Sequence, residues 1–87
     1  MKICMQPIES IAWFTRDGIP HPLRFRIQAE DKTYRVVKVS RIITRQEEKV
    51  AGNRMLIFRC QSEINGSLKI FELKYEINTC KWYLYKI

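Results

Sequence analysis

Apolar and polar positions alternate along most of the chain with the period of two that marks strands half-buried against a core. The clearest run is 23–29, where Leu23, Phe25, Ile27 and Ala29 alternate with Arg24, Arg26 and Gln28, so an apolar face backs a cationic one. Leu56, Phe58, Cys60, Ser62 and Ile64 line a second such face, with Arg59, Gln61 and Glu63 behind it. Phe71, Leu73, Tyr75 and Ile77 make a third, backed by Glu72, Lys74 and Glu76. Ile8 to Thr15 reads as an early strand, with Ile11 and Trp13 opposite Phe14. Lys81 to Ile87 closes the chain, with Trp82 and Leu84 opposite Tyr83, Tyr85 and Ile87.

One run breaks the rule. Between Tyr34 and Thr44, Tyr34 and Val36 share a face while Val37 and Val39 take the other. Such a change of phase predicts a β-bulge that bends a long strand, or else a strand covered on both sides. Turn signals separate the runs: Asp17-Gly18 followed by Pro20 and Pro22, then Glu30-Asp31-Lys32, a polar loop over 47–53, Asn65-Gly66 and Asn78-Thr79. Asn-Gly is the strongest two-residue hairpin signal, because both positions accept positive φ. Ile42 to Val50 holds enough good helix formers for one short helix, but apolar spacing of helical period is not sustained beyond it. The pattern predicts a single all-β domain over residues 1–87: a five- or six-stranded antiparallel barrel or meander, with at most one short helix.

Composition narrows the class further. With 87 residues, 46% hydrophobic and 29% charged, the chain is globular in type, and its size leaves little room for a deep enzyme cleft. Met55-Leu56-Ile57-Phe58 is the longest apolar stretch, far short of a membrane span or a secretory core, so no membrane partner is expected. Cys4, Cys60 and Cys80 fit neither zinc-ligand spacing nor an even disulfide framework. They read as reduced thiols serving as small hydrophobes in a cytoplasmic protein.

Catalytic chemistry finds little to work with. His21, the only histidine, sits between two prolines and reads as a solvent-exposed turn residue. The carboxylate pairs Glu30-Asp31 and Glu47-Glu48 fall in expected turns, and the isolated glycines form neither a P-loop nor a dinucleotide fingerprint. No enzyme, metal or cofactor is expected. Charge is more informative. The net charge is +7, and residues 23–45 carry seven basic against two acidic residues, a net of +5. Arg24, Arg26, Arg35, Arg41 and Arg45 are therefore the candidate nucleic-acid-binding residues, since guanidinium groups grip phosphate bidentately. Five neutralised phosphates would give a log–log salt slope of roughly −4 to −5. The same face is equally what a small protein needs for solubility and to protect a strand edge. The rings at Trp13 or at Tyr83 and Tyr85 offer a stacking platform, a protein interface or, most cheaply, a core wrapped on both sides by barrel closure.

Asp17-Gly18-Ile19-Pro20, Phe25, Tyr34-Arg35-Val36, Gly66 and Trp82-Tyr83-Leu84 together carry a resemblance that spans nearly the whole chain. In these elements the chain resembles a family of small bacterial all-β domains of unknown function. Members share an Asp-Gly-x-Pro turn, a Phe strand, a Tyr-x-Val strand and a closing Trp-x-Leu. The resemblance implies no catalytic residues. Its genomic company, DNA-repair polymerase genes, implies an association with nucleic acid. The expected partner is thus DNA or RNA, held on an arginine-rich face of a non-catalytic accessory domain. The alternative is a protein partner or a second copy, met at a strand edge or an aromatic surface.

Overall fold

The computed structural model describes all 87 residues, Met1–Ile87, and contains seven antiparallel strands and no helix. These are β1 (Ile3–Phe14), β2 (Pro20–Gln28), β3 (Tyr34–Lys38), β4 (Arg41–Val50), β5 (Asn53–Ile64), β6 (Ser67–Glu76) and β7 (Lys81–Lys86). They form one sheet in the order β3-β2-β1-β7-β6-β5-β4. Every neighbour in that order is also a neighbour in the chain except β1 and β7. The fold is thus a meander whose first and last strands pair, curled into a half-barrel and left open between β3 and β4. The β1–β7 ladder continues past the strand ends, with Lys2 N donating to Ile87 O (2.8 Å) and Ile87 N to Lys2 O (3.0 Å).

All-β architecture follows from the alternation; the count of five or six strands does not hold. The extra strand comes from the run Tyr34–Thr44, which breaks at Val39-Ser40 into β3 and β4. The segment 42–50 is β4, neither helix nor loop, and the polar loop expected over 47–53 shrinks to the two residues Ala51 and Gly52. Ladder pairing along β5 here overrides the helix propensity of Arg45–Lys49. Ala51 and Gly52 both have positive φ (51° and 81°), as do Asn65 and Gly66 (51° and 78°). Both tight hairpins therefore need left-handed backbone, and the first places an alanine where a Cβ is unfavourable.

Four register breaks interrupt the ladders, the last of them leaving Tyr85 unpaired between Glu72↔Lys86 and Leu73↔Leu84. Ile43 is the extra residue between Ile42↔Cys60 and Thr44↔Arg59, inside the run where a bulge is predicted. A second was not anticipated: Ile11 pairs with Arg24 and Ala12 with Pro22, leaving Leu23 unpaired. Leu23 consequently lies 43% exposed, whereas Pro20 and Pro22 before it and Phe25 after it are buried. The third places Cys4 and Met5 against Tyr85, with Met5 at φ 45°.

The concave side holds the core. Phe58, Cys60, Phe71 and Leu73 are essentially sealed, surrounded by Phe25, Leu56, Tyr75, Trp82 and Leu84. Rings meet edge-on between Phe25 and Phe71 (5.6 Å) and tilted between Tyr75 and Trp82 (4.7 Å), offset arrangements that suit aromatic quadrupoles. Of the three cysteines only Cys60 serves as a small hydrophobe; Cys4 and Cys80 are exposed. Desolvation pushes the Cys60 thiol up to about 12. The open side is fastened by the elbow between β3 and β4. Val39 N donates to Leu23 O (2.9 Å) on β2, and Ser40 N donates to Gln61 O (3.0 Å) on β5. The buried Ser62 hydroxyl donates to Lys38 O.

Ser62→Ala leaves the Lys38 carbonyl without its buried donor and should lower stability by about 1–2 kcal/mol in urea unfolding. Ala51→Asn should raise stability by about 0.5–1 kcal/mol in the same assay, because asparagine tolerates the left-handed turn position. A chromogenic disulfide reagent should titrate two thiols in the native protein, and the third, Cys60, only after unfolding.

A candidate nucleic-acid interface on the convex face of the first three strands

Residues directly opposite each other in an antiparallel ladder share a face, so the register fixes what the convex side of β1–β2–β3 presents. One row runs Ile11–Arg24–Lys38 and the next runs Glu9–Arg26–Val36. Beyond Ile11, toward the Asp17-Gly18 turn, Trp13 pairs with His21. Their rings stack at 4.2 Å and within 5° of parallel. Tyr34, opposite Gln28, lies under the Arg26 guanidinium at 4.2 Å from its ring centroid. Trp13, Ile11, Tyr34 and Val36 are each about half exposed or more. A shallow depression between the rows is lined by Glu9, Ile11, Arg24, Arg26 and Val36.

The cations on this face are not equivalent. Arg26 is held by Glu9, with Nε 3.0 Å from Oε1 and Nη2 3.3 Å from Oε2. That carboxylate raises the Arg26 pKa, chiefly by hydrogen bonding, so Arg26 is a neutralised pair in an exposed setting. Arg24 and Lys38 stand directly opposite each other with no carboxylate in ion-pair contact with either. Like charges placed across a strand pair repel, and a bound anion relieves that repulsion.

The five arginines expected to form one patch do not come together. Arg24 and Arg26 share the convex face of β2. Arg35 is opposite Ile27 and so belongs to the concave side of β3. Arg41 is opposite Gln61, on the convex side of β4 at the other margin of the sheet. Arg45 is opposite the sealed Phe58, because the Ile43 bulge reverses the face between positions 41 and 45. Lys38, which does join Arg24, was not among the expected residues. Nor is His21 a turn residue: it is part of β2, half-buried against Trp13. Counting outward from the turn centres reveals both. Trp13 and His21 lie four residues on either side of Asp17, and Arg24 and Lys38 lie seven on either side of Asp31.

The other aromatic surface is occupied. Tyr83 and Tyr85 are half-buried beside Lys74, whose Nζ sits 3.9 Å from the Tyr85 ring centroid and 2.9 Å from Glu48 Oε2. Trp13 and Tyr34 are therefore the aromatic groups that the convex face leaves available. Compared with family models, with curated proteins and with solved structures, the chain matches none.

Proposed function

We propose that this is a non-catalytic, nucleic-acid-associated accessory domain that holds a single strand across the convex face of β1–β2–β3. The carrying observation is the uncompensated pair Arg24 and Lys38 beside the exposed Trp13 ring. Phosphates rest at Arg24 and Lys38, and a base stacks on Trp13, which His21 supports from one side. A second base has Tyr34 available next to Arg26. Glu9 makes Arg26 a weaker phosphate ligand, and Arg35, Arg41 and Arg45 contribute only to the long-range positive field of a chain with net charge +7. Three free cysteines, two of them exposed, favour a reducing compartment such as the cytoplasm. The resemblance to the small bacterial β-domain family leans the same way.

A second reading rests on a different observation. β4 pairs only with β5, so its other edge is free over ten residues and can accept a strand from a protein partner or a second copy.

Fluorescence anisotropy at low salt with labelled single- and double-stranded oligonucleotides tests the first. The single strand should bind in the micromolar range, with affinity falling steeply as salt rises. Arg24→Glu with Lys38→Glu should weaken binding at least tenfold and flatten the log–log salt slope by about two. Trp13→Ala should cost about 1–3 kcal/mol. No binding at tens of micromolar, or affinity indifferent to salt and to these changes, overturns the assignment. A concentration-dependent dimer in light scattering, lost on Thr44→Pro, would favour the edge reading instead.

A further inference from the structure

Between β3 and the hairpin of β5 and β6 lies a cleft on the concave side; its rim takes in Val36 and Lys38 of β3, while its floor lies on the opposite face from the proposed nucleic-acid surface. It has a volume of about 900 Å³, and ten of its sixteen lining residues are hydrophobic. Its floor is the end of the core: Phe25 and Ile27 from β2, Phe71 from β6 and Leu84 from β7. Sites for small organic ligands are commonly apolar clefts of roughly 300–1,000 Å³ with a few placed polar groups. This one has such groups, and they are cationic.

Arg35 lies opposite Ile27, and Lys69 lies opposite the buried Ser62. Both therefore belong to the concave face, one from each wall of the cleft, at positions where an uninterrupted barrel interior would be apolar. Neither makes an ion pair. Glu63 also lines the margin, but it is opposite Leu68 and so belongs to the convex side of β5. Lys38 is the third cation at the cleft, but it is opposite Arg24 and so belongs to the convex side of the rim. Two cations on the concave face over an apolar floor are complementary to one class of small molecule.

We infer that the cleft binds a single-chain amphiphile with one anionic head group, the head between Arg35 and Lys69 and the chain along Phe25, Ile27, Phe71 and Leu84. The charge requirement separates this from a generic greasy patch, because a neutral chain gains nothing from the two cations. The apolar floor separates it from a bare anion site, because a free anion gains nothing from the phenylalanine and leucine surface. A nucleic-acid strand is a poor occupant, since the cleft offers no exposed ring for a base.

Dodecanoate, kept below its critical micelle concentration, is the probe. Amide shifts mapped by heteronuclear NMR should move at Ile27, Arg35, Lys69 and Leu84 and stay still at Trp13 and Arg24. Calorimetry should show Arg35→Gln with Lys69→Gln weakening dodecanoate at least tenfold, in a protein whose circular dichroism and melting temperature are unchanged. Ile27→Gln should weaken it with both cations intact. Octyl glucoside and inorganic phosphate should each bind at least tenfold more weakly than dodecanoate. Shifts located elsewhere, a neutral detergent bound as tightly, or phosphate alone bound as tightly would each overturn the inference. Arg24→Glu should leave dodecanoate affinity unchanged, so failure here and failure of the nucleic-acid reading are separate results.

Discussion

Everything about the shape of this domain depends on the elbow at Val39-Ser40. A meander of seven strands could lie as an open twisted sheet, with β3 and β4 at distant margins. It does not, because β3 and β4 are consecutive in the chain and their junction is bonded to both halves. Val39 reaches Leu23 on β2, Ser40 reaches Gln61 on β5, and the Ser62 hydroxyl holds the Lys38 carbonyl. Those bonds draw the margins together and set the curl that encloses Phe58, Cys60 and Phe71. They also stop short of a full ladder. The concave cleft lies beyond the elbow, between β3 and the hairpin that joins β5 to β6.

Bulges decide where charge appears. A single unpaired residue turns every later side chain on its strand to the other face. At Leu23 this moves a leucine out and leaves Arg24 on the convex side beside Lys38. At Ile43 it sends Arg41 outward and Arg45 inward. The basic residues that dominate positions 23–45 are thereby divided between two faces, Arg24, Arg26 and Lys38 on the convex one with Arg41 at its far margin, and Arg35 with Arg45 on the concave one. What composition shows as one concentration of charge becomes, in three dimensions, two smaller groups with different neighbours. Trp13 and His21 accompany the first, and an apolar floor accompanies Arg35.

Strict alternation makes much of the core readable in advance. Phe25, Phe58, Cys60, Phe71, Leu73, Tyr75, Trp82 and Leu84 all occupy the faces their spacing assigns, and Asn65-Gly66 makes the expected two-residue turn. The number of strands was not readable, because Val39-Ser40 carries no glycine or proline to mark the break. Nor does Arg45-Gln46-Glu47-Glu48-Lys49 look like a strand: its polar side chains reflect a margin with one neighbour rather than a helix. The arginine patch failed for a more instructive reason. Faces were assigned by period within each run, while the pairing between runs is set by the turn centres at Asp17 and Asp31. Folding the sequence about those two points puts Trp13 on His21, Lys38 on Arg24 and Arg35 on Ile27.

The contact between β1 and β7 has a kinetic consequence. Each other ladder joins strands adjacent in the chain, so its ends need search only a short loop before they meet. The β1–β7 ladder links residues about eighty positions apart and has no hairpin to guide it. Local zippering can thus assemble two curved ribbons, β1 to β3 and β4 to β7, before either has a finished interior. Joining them across β1 and β7 is then the slow, entropy-limited event, and until it happens both ribbons carry a bare margin open to the wrong neighbour.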